Sequence, residues 1–456
     1  MMRVQKFLAA GAIALMTAAG GASAQSNPVE RAIPVERVVS PGGIEAWLVE
    51  DHGNPIISVA LGFRAGAASD PEGKAGLAEM VSGLLDEGAG DLESQAFQQR
   101  LADLAVDLGF DAGRDSFTGS MRTLTENRDA AFDLLRLALT EPRFDPGPVE
   151  RIRSQVLARL ASRVNDPTEI ADRVWWRATF PDHPYGRQPS GRPETIGRIT
   201  TEDLHNFVDQ RFARDNLVLG VVGDITAAEL GPLLDETFGA LPPAATPVSV
   251  EPVTPSAAGE LIVVDRTVPQ SVVMFGQRGL QRNDPDFYAA SLVNHILGGG
   301  GFSSRLMQEV RVKRGLAYSI GTYLYPLDHA GLLMGHVATQ NTRVGESIDV
   351  IRAEWRRMQE EGPTAEELAD AKTYLIGSYP LNFTSTGSTA QVLVAVQLEN
   401  LGIDYFNRRT ALIEGVTLDE AKRVAGELLD PANLATIVVG APEGLTPTRS
   451  APDDAS

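Results

Sequence analysis

One segment of this chain occurs twice. Thr200-x-x-Asp203 is a capping-box pattern, in which a threonine hydroxyl and an acidic side chain three residues on satisfy each other's backbone amides at a helix start. Asn216 then opens the apolar run Leu217-Val218-Leu219-Gly220-Val221-Val222, which closes on Gly223. In the second half Thr417-x-x-Glu420 marks a helix start, Asn433 opens Leu434-Ala435-Thr436-Ile437-Val438-Val439, and Gly440 closes it. The steps from Thr to Asn to Gly are 16 and 7 residues in both places, a displacement of 217 throughout. A helix followed by a buried strand is common. Two spacings preserved together constrain the chain to two copies of one plan.

Between the copies, Leu241-Pro242-Pro243-Ala244-Ala245-Thr246-Pro247, followed by Pro252, Pro255 and Gly259, reads as an extended, stiff connector. The chain therefore divides into a leader at 1–24, a first domain at 25–240, a Pro-rich linker at 241–259 and a second domain at 260–456. Both domains mix helical and strand patterns. The fold class expected is α+β, with two homologous domains, each an antiparallel-rich sheet covered by helices.

In the first copy, Ile44–Val49 and Ile56–Phe63 read as strands about the turn Asp51-His52-Gly53-Asn54-Pro55. Gly76–Leu85 reads as an amphipathic helix, because Leu77, Met80, Val81 and Leu84 fall at i, i+3, i+4 and i+7. Its opposite face carries Glu79, Ser82 and Gly83. A helix is expected at 92–108, strands at 111–118 and 120–124, and helices at 127–140 and 148–164, the last ended by Asn165-Asp166-Pro167. In the second copy, strands are expected at 261–264, 271–275 and 316–325. Helices are expected at 287–297, from Thr364-x-x-Glu367 to Tyr374, and at 388–401. Gly298, Gly299, Gly300 and Gly301 read as a flexible loop that hinges or lets backbone approach a ligand.

The formal net charge of -20 argues against duplex nucleic acid and anionic membrane as partners. The absence of cysteine excludes thiolate metal sites, iron–sulfur clusters and cysteine nucleophiles. Arg3 and Lys6 precede the apolar run Phe7–Ala18, and Ala22-Ser23-Ala24 follows, the pattern of a cleaved secretory signal. That run is short of the ~20 residues that span a bilayer, and no later segment spans one. In a bacterium the expected location is the periplasm.

The six histidines are His52, His183, His205, His295, His329 and His336, and no two stand four apart. Zinc needs three or four convergent ligands, so no metal is expected in this chain. Phosphate-binding loops and nucleophile-elbow motifs are missing as well.

Several stretches carry a resemblance: Phe63-Arg64-Ala65-Gly66-Ala67, Gly76-Leu77-Ala78, Pro184-Tyr185-Gly186, Asn216 to Gly223, Leu297-Gly298-Gly299, Ser304-Arg305-Leu306 and, most specifically, Arg311-Val312-Lys313-Arg314-Gly315-Leu316-Ala317-Tyr318-Ser319. Over most of its length the chain resembles the pitrilysin/insulinase family of zinc metallopeptidases, in the two-domain bacterial form related to the mitochondrial processing peptidase. The resemblance implies a half-shell built from the two domains. Active members resemble Gly-Leu-Ala-His-Phe-Leu-Glu-His in the opening helix, with zinc on the two histidines and water activated by the glutamate. Those roles fall here on Glu79, Ser82 and Gly83, and the third ligand falls at or within a turn of Arg159. Glycine offers no ligand, serine is no base near neutral pH, and arginine keeps its proton. Arg159 is free to pair with Glu79 instead.

The family's arginine–tyrosine pair, which contacts substrate and stabilises the reacting carbonyl, matches Arg311 and Tyr318. The resemblance thus implies a non-catalytic, substrate-binding subunit of a periplasmic heteromeric metallopeptidase that acts on unfolded peptides. Its partner is expected to be a family member carrying H-x-x-E-H and zinc, in a heterodimer or a dimer of heterodimers. The chain alone is expected to be inactive, and the complex a zinc metalloendopeptidase. The alternatives are a stand-alone peptide-binding or chaperone-like homodimer, and a peptidase with a different catalytic apparatus.

Overall fold

The computed structural model describes residues 33–452. The export signal expected at 1–24 lies outside them. In the first copy the strands are β1 (Glu36–Val39), β2 (Glu45–Glu50), β3 (Ile56–Phe63), a short ribbon of β4 (Gly88–Ala89) with β5 (Leu92–Glu93), then β6 (Asp107–Ala112), β7 (Phe117–Leu124) and β8 (Leu217–Gly223). The helices are α1 (Leu77–Ser82), α2 (Ser94–Asp103), α3 (Arg128–Thr140), α4 (Pro146–Arg163), α5 (Pro167–Thr179), α6 (Pro193–Ile196), α7 (Thr201–Arg211) and α8 (Ala227–Phe238). The second copy supplies β9 (Leu261–Asp265), β10 (Gln270–Arg278), β11 (Ala317–Pro326), β12 (Gly331–Gln340) and β13 (Ala435–Gly440). Its helices are α9 (Phe287–Asn294), α10 (Val344–Glu361), α11 (Ala365–Gly377), α12 (Thr386–Leu398), α13 (Tyr405–Glu414) and α14 (Leu418–Leu428).

The duplication is visible in the sheets. The first runs β1-β2-β8-β3-β7-β6 and the second β9-β13-β10-β12-β11. Setting β1 aside, each sheet has the same order, with one parallel pair (β2 with β8, β9 with β13) and antiparallel pairs elsewhere. Both capping boxes form: Thr200 accepts from the Asp203 amide and Thr417 from the Glu420 amide. The fold is a mixed α/β architecture of two open sheets and their helices. No helix among the described residues is long and apolar enough to cross a membrane.

The central strands are apolar on both faces, as strands buried on both sides must be. One face of the first sheet (Leu48, Val59, Leu61, Leu219, Val221) packs on helices of its own copy through Leu77, Val81, Leu135 and Leu234. Its other face (Trp47, Val49, Ala60, Val222) packs on Leu393 and Val394 of α12, which comes from the second copy. The exchange is reciprocal. The second sheet buries Val273, Phe275 and Val438 against its own helices, and Ile262, Met274 and Ile437 against Val174 and Trp175 of α5, from the first copy.

Two strand glycines mark the crossings. A Cβ on Gly220 would stand 2.6 Å from the carbonyl oxygen of Ala390 in α12, and one on Gly276 would stand 2.8 Å from the Trp175 ring. Arg64 locks α12 from the other half, donating to the carbonyls of Leu398 (2.5 Å) and Gln397 (2.7 Å) at the helix C-terminus. Tyr185 also bridges the copies: its hydroxyl donates to Asp115 (2.6 Å) and accepts from the His329 amide (3.1 Å). The Pro-rich connector lacks regular structure but is strapped down, Thr246 to Gln210, Val253 to His329 and Ser256 to Thr179 through backbone bonds of 2.8–2.9 Å.

Four local expectations are corrected. The helix expected at 92–108 is α2 alone, because Ala105 takes a left-handed φ of +50° and the chain turns into β6. The hairpin between β6 and β7 turns at 113–116 and not at Gly119. Gly119 lies inside β7, where a Cβ would stand 2.8 Å from the Phe110 ring. Asp166-Pro167 ends α4 but also starts α5, since Asp166 accepts from the amides of Thr168 and Glu169. Finally, Gly298 to Gly301 is not a loose loop. Its first two glycines end a π-helical stretch, His295–Gly299, that continues α9, and Gly301 opens a 3-10 turn, Gly301–Ser303.

Candidate functional site

Helix α1 is held at its start by a buried carboxylate. Asp70 accepts from the amides of Gly76 (2.8 Å), Leu77 (3.1 Å) and Ala78 (3.1 Å), which a helix N-terminus leaves without internal partners. Gly76 takes φ +96°, and a Cβ there would stand 2.5 Å from Ile196, so only glycine enters the helix at this point. Leu77, Met80 and Val81 are buried, and Leu84 in the following turn is buried with them.

On the other face, Glu79 is ion-paired with Arg159, which reaches over from α4. The Ser82 hydroxyl donates back to the Glu79 carbonyl at 2.9 Å and is spent on the helix itself. Gly83 lies against α4, where a Cβ would meet Ile152 Cγ2 at 3.3 Å. Zinc does not fit this face. Its single carboxylate is neutralised by a guanidinium, which donates hydrogen bonds and accepts none, and the space beside Gly83 is taken by an aliphatic side chain. Among the described residues, no three histidine or acidic side chains gather as a metal site.

The second set of residues stands on the other sheet. Three glycines of the run are packing positions: a Cβ on Gly298 would stand 2.5 Å from Thr322 Oγ1, on Gly299 2.8 Å from Asn294 Nδ2, and on Gly300 2.8 Å from the His295 carbonyl. Only Gly301 needs the conformational freedom of glycine, with φ +57° and open space around it. A second π-helical stretch, Met307–Val312, follows and ends just past Arg311. Such stretches recur at functional sites. Between them Arg305 anchors the segment from a buried position, bonding both oxygens of Glu367 at 2.7 Å and the Gly362 carbonyl at 2.9 Å.

Edge strand β11 then carries a register shift between Ala317 and Ile320. This β-bulge turns both Tyr318 and Ser319 outward. Tyr318 is 82% exposed. Arg311 stacks on it, with the guanidinium carbon 4.4 Å from the ring centre. Glu309, the adjacent carboxylate, is occupied by Lys313 and Arg314, which hold it below the usual carboxylate range.

The structure thus brings Glu79 and Arg159 together, and Arg311 and Tyr318 together. Among the described residues no hydrogen bond, ion pair or ring contact joins the first set, on α1 and α4, to the second, on the π-helical stretches and β11. Sequence reasoning missed Phe302. Its ring centre lies 4.7 Å from the Arg311 guanidinium carbon, on a side chain 62% exposed. Nothing in the local pattern marks it, because the partners are nine residues apart across irregular backbone.

Two family profiles match this chain. Residues 46–191 match the profile described as Insulinase (Peptidase family M16), and residues 198–375 match the one described as Peptidase M16 inactive domain. The chain is 28% identical to the non-peptidase homolog YmxG of Helicobacter pylori, over 73% of this chain and 77% of that one. It is 27% identical to an uncharacterized zinc protease of Mycobacterium leprae, over 88% and 90%. Among solved structures, that of a peptidase M16 inactive domain from Pseudomonas fluorescens matches with a TM-score of 0.84 and 27% identity, covering 91% of this chain and all of that one.

Proposed function

Because the chain belongs to the insulinase family, peptidase M16, as a member without the metal-binding motif, we propose that it is the non-catalytic, substrate-binding subunit of a heteromeric metallopeptidase. On this reading it is exported to the periplasm and binds unfolded peptides. A second subunit carrying H-x-x-E-H and zinc completes the enzyme. One contrast carries the proposal: Glu79 and Arg159 neutralise each other where a metal would sit, while Arg311 has no carboxylate partner among the described residues and lies beside an exposed Tyr318.

The work assigned to this chain is binding and polarisation. Strands β6 and β11 are sheet edges, and an extended peptide can add to such an edge through backbone bonds with little demand on sequence. Arg311 offers a fixed fork of donors to a peptide carbonyl. The Tyr318 hydroxyl can donate to the oxygen that becomes negative during attack. The partner's zinc, when bound there, supplies the activated water.

The test is reconstitution. The purified chain is assayed on a quenched-fluorescent peptide alone and mixed with an H-x-x-E-H family member from the same organism. Activity is expected only in mixtures containing the partner, and above that of the partner alone. Tyr318→Phe is expected to lower kcat of the mixture by up to about 100-fold, the scale of one lost oxyanion donor. A mixture no more active than the partner by itself overturns the proposal.

A further inference from the structure

Two rings hold Arg311 where hydrogen bonds would ordinarily do so. Its guanidinium carbon lies 4.4 Å from the centre of the Tyr318 ring and 4.7 Å from that of Phe302. Neighbouring cations are committed: Lys313 and Arg314 to Glu309, and Arg343 to Glu346. Arg311 has no acceptor among the described residues, so its five N–H donors remain for a ligand. In a chain with 60 acidic residues, keeping an arginine clear of carboxylates requires that something else orient it.

The backbone around Phe302 is built to display that side chain. Gly301 turns the chain at φ +57°, its carbonyl accepts from the Ser304 hydroxyl at 2.7 Å, and the Phe302 carbonyl accepts from Gln308 Nε2 at 2.7 Å. Phe302 itself is 62% exposed, so hydrophobic burial does not account for its placement. A cation over a ring face does.

We infer that Phe302 is a positioning residue. Its ring completes a Phe302–Arg311–Tyr318 stack that fixes the plane of the guanidinium for donation to a backbone carbonyl of a bound extended peptide. This inference rests on the reading of Arg311 as a peptide contact given above.

The test uses the purified full chain and two readouts. One is the Nε–H resonance of Arg311 in 15N-arginine-labelled protein, assigned by its loss in Arg311→Lys. The other is anisotropy of a fluorescein-labelled unfolded casein peptide. Phe302→Ala is expected to move the Arg311 resonance out of its ring-shifted position and to weaken peptide binding about two- to fivefold, the scale of an exposed cation–ring contact. Phe302→Trp restores both. The double variant Phe302→Ala, Arg311→Ala binds no more weakly than Arg311→Ala alone.

An unmoved resonance in Phe302→Ala, or additive losses in the double variant, overturns the positioning role. Phe302→Ala that binds normally beside an impaired Arg311→Ala overturns that role and leaves the peptide contact standing. Binding unaffected by Arg311→Ala, or no binding by the unsubstituted chain, overturns the peptide contact and this inference with it.

Discussion

Arg159, on α4, is ion-paired with Glu79, on α1, so that a guanidinium lies against the face of the helix opposite its apolar stripe. The pair neutralises a carboxylate that would otherwise lie partly buried between two helices. Its arginine side chain is 42% exposed and its glutamate 20%, so water screens much of the attraction. The pair fills a position more than it holds the fold together.

A double-mutant cycle with Glu79→Ala and Arg159→Ala is therefore expected to give a coupling of about 0.5–1 kcal/mol, falling as salt is raised. Urea denaturation of the four proteins measures it. A coupling above about 3 kcal/mol would show instead that the pair is a desolvated structural element.

The Arg305–Glu367 pair behaves differently. Arg305 is buried and bonds both carboxylate oxygens. Burial pushes the Glu367 carboxyl upward, but Arg305 and the Thr364 amide outweigh it and hold it at about 2. A carboxyl lowered in the folded state contributes stability that is fully present above its unfolded value and is lost as pH falls toward the folded one. The window here runs from about 4.5 down to about 2. Glu367→Gln is expected to cost about 2–3 kcal/mol at pH 7, at the low end for one partner of a buried pair because Glu367 keeps some solvent contact. Thermal unfolding followed from pH 7 to pH 3 should show the wild-type advantage shrinking in that window. A constant difference across it would sink the assignment.

The exchanged helices make the two copies interdependent. Trp175 belongs to the first copy, yet its side chain is buried against the second sheet. Trp175→Ala is expected to destabilise the chain by about 3–5 kcal/mol, the usual cost of emptying a large aromatic site. The loss should show as a lower midpoint of one cooperative transition, monitored by near-UV and far-UV circular dichroism together. Fragments 33–241 and 242–452, expressed separately, each leave one sheet face bare and are expected to aggregate. Co-expressed, they should assemble. Two independent transitions in the intact chain would contradict this account.

Much of the architecture is legible along the chain because it is local. The apolar stripe of α1, the two capping boxes and the two closing glycines depend on spacings of a few residues, and they hold in three dimensions. The errors fall where local signals are ambiguous. Gly119 looks like a turn but is a strand glycine held against Phe110, and Asp166-Pro167 looks like a stop but is also a start. The glycine run reads as loop, because sequence does not show that Thr322, Asn294 and His295 press against three of its four members.

By itself, the sequence determined the duplication and the α+β class. Each follows from residue identity and short-range periodicity, which need no partner to be read. Only the tertiary structure decided which helix covers which sheet, that Arg159 reaches Glu79, and that Arg311 lies over the rings of both Phe302 and Tyr318. Those are contacts between surfaces that match in shape and charge across long stretches of chain. Complementarity of that kind exists only once both surfaces have been folded into place.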